Sequence, residues 1–425
     1  MSYYHIWSIG CQMNKAYSEQ LAIDLERLGY RSTGAIEEAD IAVINSCVVR
    51  QSAENRVLSK LDSLIPLKRV NPDTVVALAG CMVDAGIAEL RRRFSHVDLF
   101  LKPGESAELL DLARARAPEG MQDSTPLPLP PSAFVTIIEG CDNFCSYCIV
   151  PYRRGRERSR PLAEIRSQVE GLVERGVKQV TLLGQNVDSY GYDLPGMPDL
   201  ADLLEELNSI EDLMRIRFLT SHPKDMNQKL IRAVASLDKV CESISLPVQT
   251  GDDEILQAMG RGYTAQDYRE LVEQIRGNVP GVALSTDVIV GFPGETEVQF
   301  QRTLDLLSSI RFDTVHVAAY SPRSGTLASR EFEDDVPPSE KKRRLQKVEE
   351  LECQIASEIN AQLLGQKVEV LVEGDKKGKW WGRTRTGKLV FFNDDSSRLG
   401  QLVAVEIEKT SPWSLQGVFE HKHSL

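Results

Sequence analysis

The sequence predicts an α/β chain of three parts: an N-terminal βαβ parallel-sheet domain, a central partial (β/α)6 barrel and a small C-terminal β-barrel. Three observations predict it. Short apolar runs alternate with helical patterns along residues 1–118 and again along 134–360, as parallel strands joined by crossover helices do. A proline-rich stretch without periodicity, 119–133, reads as the linker between the two series. From 361 to 425 the pattern changes to short strands, KVEVLVEG, KLVFFN and LVAVEIEKT, broken by Gly- and Asp-containing turns.

Within residues 1–118, three runs end alike. YYHIWSIG leads to Cys11, DIAVINS to Cys47 and TVVALAG to Cys81. Helical patterns follow the first from Ser18 to Leu28 and the second to about Lys68. In a parallel sheet the loops after the strand C-termini converge on one edge, where ligands bind. Three strands each delivering one cysteine to that edge are poorly explained by core packing, although free cysteine is often a small core residue.

Six runs alternate with helices in the central part: FVTII (134–138), QVTLL (179–183), MRIRFLT (214–220), CESISL (241–246), ALSTDVIV (283–290) and DTVHVAAY (313–320). The active site of such a barrel lies at the strand C-termini. A charged helix, Glu340 to Asn360, closes this part.

Composition narrows the function. A chain of 425 residues holds two or three domains, and a net charge of -12 argues against coating nucleic acid or membranes by bulk charge. It leaves room for a local basic site. The start, MSYYHIWSIGCQMNK, lacks the basic and apolar regions of a signal peptide, and no run of eighteen apolar residues follows. The expectation is a cytoplasmic protein without a membrane partner. Eight cysteines in a reducing compartment point to metal binding or catalysis over disulfides.

Cys141, Cys145 and Cys148 form C-x3-C-x2-C just after the first barrel strand. Four ligands are usual for structural zinc and for a four-iron cluster, so this site is one short. A zinc knuckle completed from a distance is one reading, but only six histidines exist and no second pair waits nearby. His222, in TSHP, is expected to make a plain hydrogen bond.

The pattern, with an aromatic before the last cysteine and βα repeats behind it, resembles the radical S-adenosylmethionine superfamily. That resemblance implies a TIM-like barrel holding a [4Fe–4S] cluster on Cys141, Cys145 and Cys148. The open iron is chelated by S-adenosylmethionine, whose reductive cleavage gives a deoxyadenosyl radical. It also implies cofactor contacts at Tyr147, at Gly184, Gln185 and Asn186 ending the second strand, and at Val290, Gly291 and Phe292 in VIVGFPGE.

SIGCQMN, INSCVVRQSAENRV, ALAGCMV, EGCDNFCSYCIVPYRRGRERSR, LLGQNVDSYG, FLTSHP, LPVQTGDDEIL and VIVGFPGETE, in that order, resemble the methylthiotransferase family nearly end to end. GCQMN and LPVQTG resemble its MiaB-type tRNA branch. Thr250 and Asp252 stand where serines are common, and Gly260 where asparagine is frequent. The resemblance implies a sulfur-group transferase with a second [4Fe–4S] cluster on Cys11, Cys47 and Cys81. One S-adenosylmethionine methylates the carried sulfur and a second supplies the radical, two molecules per turnover. The implied target is C2 of N6-isopentenyladenosine at position 37, beside the tRNA anticodon. A sulfur donor and a flavodoxin- or ferredoxin-like electron donor are further expected partners, and the chain is expected to be a monomer.

The tail supplies KKGKWWGRTRTGK, and it resembles the TRAM domain. Lys376, Lys377, Lys379, Arg383, Arg385 and Lys388 suit phosphates, and Trp381 suits a stacked base. A solvated hairpin with core tryptophans is the plainer reading. YRRGRERSR adds Arg154 and Arg156 as RNA contacts, or as a solvated loop answering carboxylates. KKRR at 341–344 is expected to be a solvated helix face, Cys241 and Cys353 structural, and Gln249 and Asp287 near the barrel's C-terminal edge. Competing functions are a methylthiotransferase for threonylcarbamoyladenosine in tRNA or for a ribosomal protein side chain, and a non-catalytic iron–sulfur or zinc RNA-binding protein.

Overall fold

The computed structural model describes residues 2–48, 51–83, 87–117 and 129–419. These fall into two compact units, 1–128 with 149–156, and 129–148 with 157–425. Residues 119–128 of the expected linker lie outside the described residues.

The first unit is a five-stranded parallel sheet in the order β2-β1-β3-β4-β5. Its strands are β1 (Tyr3–Ser8), β2 (Arg31–Ser32), β3 (Ile41–Ser46), β4 (Val75–Gly80) and β5 (Leu99–Leu101). Every residue of β3 and β4 is buried, because helices cover both faces. Alternate residues feed two cores. Ala42, Ile44, Val76 and Leu78 pack with Val57 and Leu61, while Ile41, Val43, Val75 and Ala77 pack with Leu21, Leu25 and Leu109. Each buried Val, Leu or Ile contributes about 1.5–3 kcal/mol.

Two details differ from expectation. The first helix spans Gln12–Arg27, beginning directly after Cys11, so its polar first turn hid its start. The second helical stretch is broken into Gln51–Ser63 and Ile65–Val70, where Pro66 opens a new helix.

The second unit begins with the barrel. β6 (Ser132–Thr136), β9 (Gln179–Leu183) and β10 (Arg215–Phe218) form one parallel sheet, and β11 (Ser243–Ser245), β12 (Ala283–Val290) and β13 (Thr314–Ala319) form another. A parallel bridge between Ile216 and Val240 joins them, giving the six-stranded open barrel. A short antiparallel pair, β7 (Ile138–Glu139) with β8 (Arg158–Ser159), lies beside it. β14 (Lys367–Lys376), β15 (Lys379–Arg383), β16 (Leu389–Asn393), β17 (Leu402–Thr410) and β18 (Leu415–Phe419) close a barrel in the order β14-β15-β16-β18-β17.

Helix Pro338–Ala361 corrects one expectation. Lys341 and Arg344 of KKRR are buried. Arg344 Nη1 lies 2.7 Å from the buried Glu295 Oε2, and Lys341 Nζ donates to Tyr320 O at 3.2 Å and pairs with Asp334. Glu295 also accepts the Gly291 N–H at 2.6 Å. The helix therefore locks the VIVGFPGE segment from behind, and the charges are buried because they are paired.

Candidate cluster sites on two strand-end edges

In the parallel order β2-β1-β3-β4-β5, successive connections leave β1 and β3 in opposite directions, which opens a crevice beyond the C-termini of those two strands. Cys11 follows β1 and Cys47 follows β3, so both flank that crevice; Cys81 follows the neighbouring β4. Gly10 brings the first loop onto the second. Its φ is +124°, and a Cβ built there would lie 2.3 Å from Cys47 Cβ, so no other residue fits without displacement. The hydrogen bond from Cys47 pulls the Cys11 thiol down to about 6 against burial, helped by backbone N–H groups of the helix start and the charge of Arg154.

Three buried polar residues brace these loops. Asn14 Nδ2 donates to Ile9 O at 3.0 Å and Ser46 O at 2.8 Å, and Asn45 Nδ2 returns a bond to Asn14 O at 2.8 Å. Ser46 Oγ donates to Ala79 O at 2.6 Å and accepts from Met82 N–H at 3.2 Å. Sequence reasoning passed over all three. The signal was present, since GCQMN and INSC place polar residues in otherwise apolar strand ends.

In the barrel, Cys141, Cys145 and Cys148 sit on one loop after β6 and β7. Ser146 anchors it, its N–H donating to Met259 O at 2.9 Å and its Oγ to Ala258 O at 2.7 Å. Burial pushes the Cys141 thiol up to about 11. Buried Cys145 accepts from Arg261 Nη1 at 3.4 Å, a neighbour that sequence reasoning missed.

Of the expected cofactor residues, Gln185 Oε1 accepts the Gly140 N–H at 2.6 Å, tying the second strand end to the cysteine loop. Gly184 packs against Ile138, and Asn186 Nδ2 donates to Asp225 Oδ2 at 2.7 Å. Tyr147 packs against the buried cluster of Phe292, Met259, Ile255 and Tyr320. Val290 and Phe292 are fully buried, and Gly291 presses its Cα face on Lys341. His222 Nδ1 accepts from Lys224 N–H at 3.2 Å, as expected of a plain hydrogen-bonding histidine, while its buried Nε2 has no hydrogen-bond partner among the described residues. Burial holds its imidazole neutral, down to about 2. Asp188, fully buried, is pushed up to about 8 by desolvation and accepts from Ser221 Oγ at 2.9 Å and His222 N–H at 3.2 Å.

Among the described residues no three Cys, His, Asp or Glu side chains converge as tightly as a single ion needs. A four-iron cluster differs, since each thiolate binds its own iron corner and the ligands stand further apart. Both triplets suit that group. Each offers three cysteines on loops at strand C-termini, and each has a cation nearby, Arg154 beside Cys11 and Arg261 on Cys145.

The basic hairpin divides in two. Arg385 forms a bidentate pair with Glu242, at 2.8 and 2.7 Å, and donates to Val240 O and Asp238 O; Lys388 Nζ meets Asp313 Oδ1 at 2.6 Å. Those partners immediately precede β11 and β13. From the start of β10, Arg215 and Arg217 donate to Arg383 O and Thr384 O at 2.6 and 2.5 Å. The small barrel thus docks on the N-terminal end of the large one, opposite its cysteine loop. Arg383 also donates to Gly387 O at 3.0 Å. Lys376, Lys377 and Lys379, at the β14–β15 turn, are exposed. Trp380 faces the small core and donates to Asp394 O at 3.1 Å, whereas Trp381 lies half-buried over Gly374 on the other side. Arg156 is exposed; Arg154 Nη2 lies 3.3 Å from Asn14 Oδ1.

Three sequence profiles match the chain: the Radical SAM superfamily at residues 135–307, the Uncharacterized protein family UPF0004 at 3–102 and the TRAM domain at 361–419. A protein of Dehalococcoides mccartyi (strain CBDB1), named tRNA-2-methylthio-N(6)-dimethylallyladenosine synthase, is 53% identical over 97% of both chains. One of the same name from Chloroflexus aurantiacus is 49% identical over 98% of this chain and 91% of that one. Among solved structures, the radical S-adenosylmethionine methyltransferase TsrM from Kitasatospora setae superposes with a TM-score of 0.57 at 14% identity, covering 77% of each chain, a likeness of fold.

Proposed function

The chain belongs to the tRNA-2-methylthio-N(6)-dimethylallyladenosine synthase family, and from that premise we propose that it methylthiolates C2 of N6-isopentenyladenosine at position 37 of tRNA. The observation that carries the reading is the presence of two separate three-cysteine sites, each on the strand C-terminal edge of its own parallel sheet. Cys141, Cys145 and Cys148 would hold the cluster that binds S-adenosylmethionine, and Cys11, Cys47 and Cys81 the auxiliary cluster that carries sulfur. When bound, these groups supply the radical and the methylated sulfur, with two molecules of S-adenosylmethionine per turnover.

The chain's own residues orient and shield. Ser146 and Gln185 fix the cysteine loop through backbone groups, and the locked Gly291 segment with Phe292 backs Tyr147 as one wall of the cofactor pocket. Asn186, Gly184 and Val290 shape its other side. Asn14, Asn45 and Ser46 hold the auxiliary loops in register. The three domains take the bounds 1–118, 134–360 and 361–425, with the linker between the first two.

For tRNA, the exposed part of the basic hairpin matters most. Lys376, Lys377 and Lys379 project there, with Trp381 beside them, and they suit backbone phosphate and an unstacked base. Arg385 and Lys388 are engaged by carboxylates, so we assign them to docking the small barrel. The exposed edge of Arg383 extends that surface, Arg156 is a separate RNA contact on the other unit, and Arg154 serves the auxiliary site.

Nucleoside mass spectrometry of tRNA from a strain lacking this gene tests the target. Isopentenyladenosine without the methylthio group is expected to accumulate, and the mark to return on complementation. Loss of the mark from threonylcarbamoyladenosine instead would transfer the reading to the rival substrate.

A further inference from the structure

Arg261 is one of the most deeply placed charges in the barrel, only 4% exposed. Gly260 and Gly262 flank it with φ of +70° and +73°. That turn drives the Arg261 side chain inward behind the cysteine loop; asparagine at 260 would tolerate the same conformation. The guanidinium is held on three sides. Nη2 donates to Pro247 O at 2.8 Å, Nε to Tyr263 Oη at 3.0 Å and Nη1 to Cys145 Sγ at 3.4 Å. The Tyr263 ring also lies 5.3 Å from its central carbon.

None of those partners is a carboxylate. The titratable groups that interact with Arg261 include Tyr147, Tyr263, Tyr268, Cys145 and the neutral His222: phenols, a thiol and an imidazole. Two other buried arginines each have an acid: Arg344 has Glu295, and Arg215 has Glu369. Burial disfavours a guanidinium's charge, so its hydrogen-bond partners must offset that cost. The group at Arg261 Nη1 that can carry a full negative charge is the Cys145 sulfur, as a thiolate.

On the reading that Cys141, Cys145 and Cys148 hold a cluster, three thiolates give that cluster a net negative charge, and reduction adds one more. We infer that Arg261 is the charge partner of this cluster, donating Nη1–H to the Cys145 sulfur and raising the cluster's reduction potential. The direction follows from electrostatics: a fixed cation with an N–H···S bond stabilises the more anionic, reduced state. Arg261 is a positioning residue here, acting on the reaction only through the sulfur.

The test is an EPR-monitored redox titration of the anaerobically reconstituted full chain, wild type beside Arg261→Gln and Arg261→Lys. The cluster at Cys145 is the one whose signal changes on adding S-adenosylmethionine. At the wild-type midpoint, Arg261→Gln is expected to lower the ratio of reduced to oxidised cluster about tenfold, a shift of about 59 mV for one electron, and Arg261→Lys to recover most of it. Loss of this cluster's iron in the Gln variant with retention in the Lys variant supports the same charge role. A Gln variant with normal iron and an unchanged midpoint overturns it, even if S-adenosylmethionine binding weakens. So does loss of iron in both variants, since charge then does not decide. Wild-type protein without iron at this triplet fails one step earlier, at the cluster reading itself.

Discussion

The two cysteine triplets reach similar donor sets by opposite routes. Cys141, Cys145 and Cys148 lie within eight residues on one loop, so local sequence alone brings them together. Cys11, Cys47 and Cys81 are gathered by sheet topology, each from a different strand end. Their supports differ accordingly. The barrel loop is braced by neighbours that include titratable groups, Arg261 on Cys145 and, behind the next strand ends, Asp188 under His222. The N-terminal site is braced by Asn14, Asn45 and Ser46, which do not titrate, and by a backbone approach at Gly10 that admits no side chain. Both triplets have a cation nearby, but the dispersed one depends in addition on the backbone register between strand ends.

The largest effects should separate the triplets by chemistry. Cys145→Ala is expected to abolish S-adenosylmethionine cleavage, whereas Cys47→Ala should leave cleavage measurable and stop sulfur insertion. Chromatography of 5′-deoxyadenosine beside modified nucleoside reads both, and thiolation at normal yield by Cys47→Ala would end the division of labour.

Gly10→Ala probes the register directly. Steric conflict with Cys47 and the positive φ together should cost the N-terminal unit roughly 2–4 kcal/mol. Gly155 has a φ of +78° and nothing within 4 Å of where an alanine methyl would sit. The same change there should cost only the backbone strain, about 1 kcal/mol. Urea unfolding followed by fluorescence compares them; equal losses would mean the close approach is not what matters.

A pH-gated effect should appear in the barrel unit. Burial raises Asp188 to about 8, while an unfolded aspartate titrates near about 3.9. The native chain thus keeps a proton that the unfolded chain releases, so this group's contribution is fully present below about pH 4 and is lost as pH rises toward 8. Asp188→Asn, which mimics the protonated acid, should flatten that decline in denaturation midpoint. An unchanged slope would show that Asp188 is ionised in the fold.

The smallest effect concerns the hairpin. Replacing Lys376, Lys377 and Lys379 by alanine should reduce the salt slope of binding to an anticodon stem-loop by about 2, at about 0.7 for each lost phosphate contact. Arg385→Ala should leave that slope nearly unchanged, because Arg385 already answers Glu242. The reverse pattern would return the RNA surface to the docked half.

What the sequence revealed follows the same contrast. The alternation of apolar runs and helices sufficed for the parallel strands, because buried strands such as Ile41–Ser46 and Val75–Gly80 are apolar at nearly every position. The spacing of Cys141, Cys145 and Cys148 was legible as it stood. Cys11, Cys47 and Cys81 were legible only through equivalence of strand ends. Lys341 and Arg344 misled, since a charged run reads as solvated until its partners, Asp334 and Glu295, are known from the fold. Arg385 and Lys388 were opaque for the same reason, as Glu242 and Asp313 are distant in sequence. Arg261 gave no signal because its role depends on where a glycine-flanked turn points its side chain.

The central claim is that there are two cluster sites with independent ligand sets, and iron and sulfide analysis after anaerobic reconstitution tests it most directly. Wild-type chain is expected to hold about eight irons, and about four should remain when either Cys11, Cys47 and Cys81 or Cys141, Cys145 and Cys148 are replaced together by alanine. Four irons in wild type, unchanged by replacing the first triplet, or one zinc without sulfide, would contradict it.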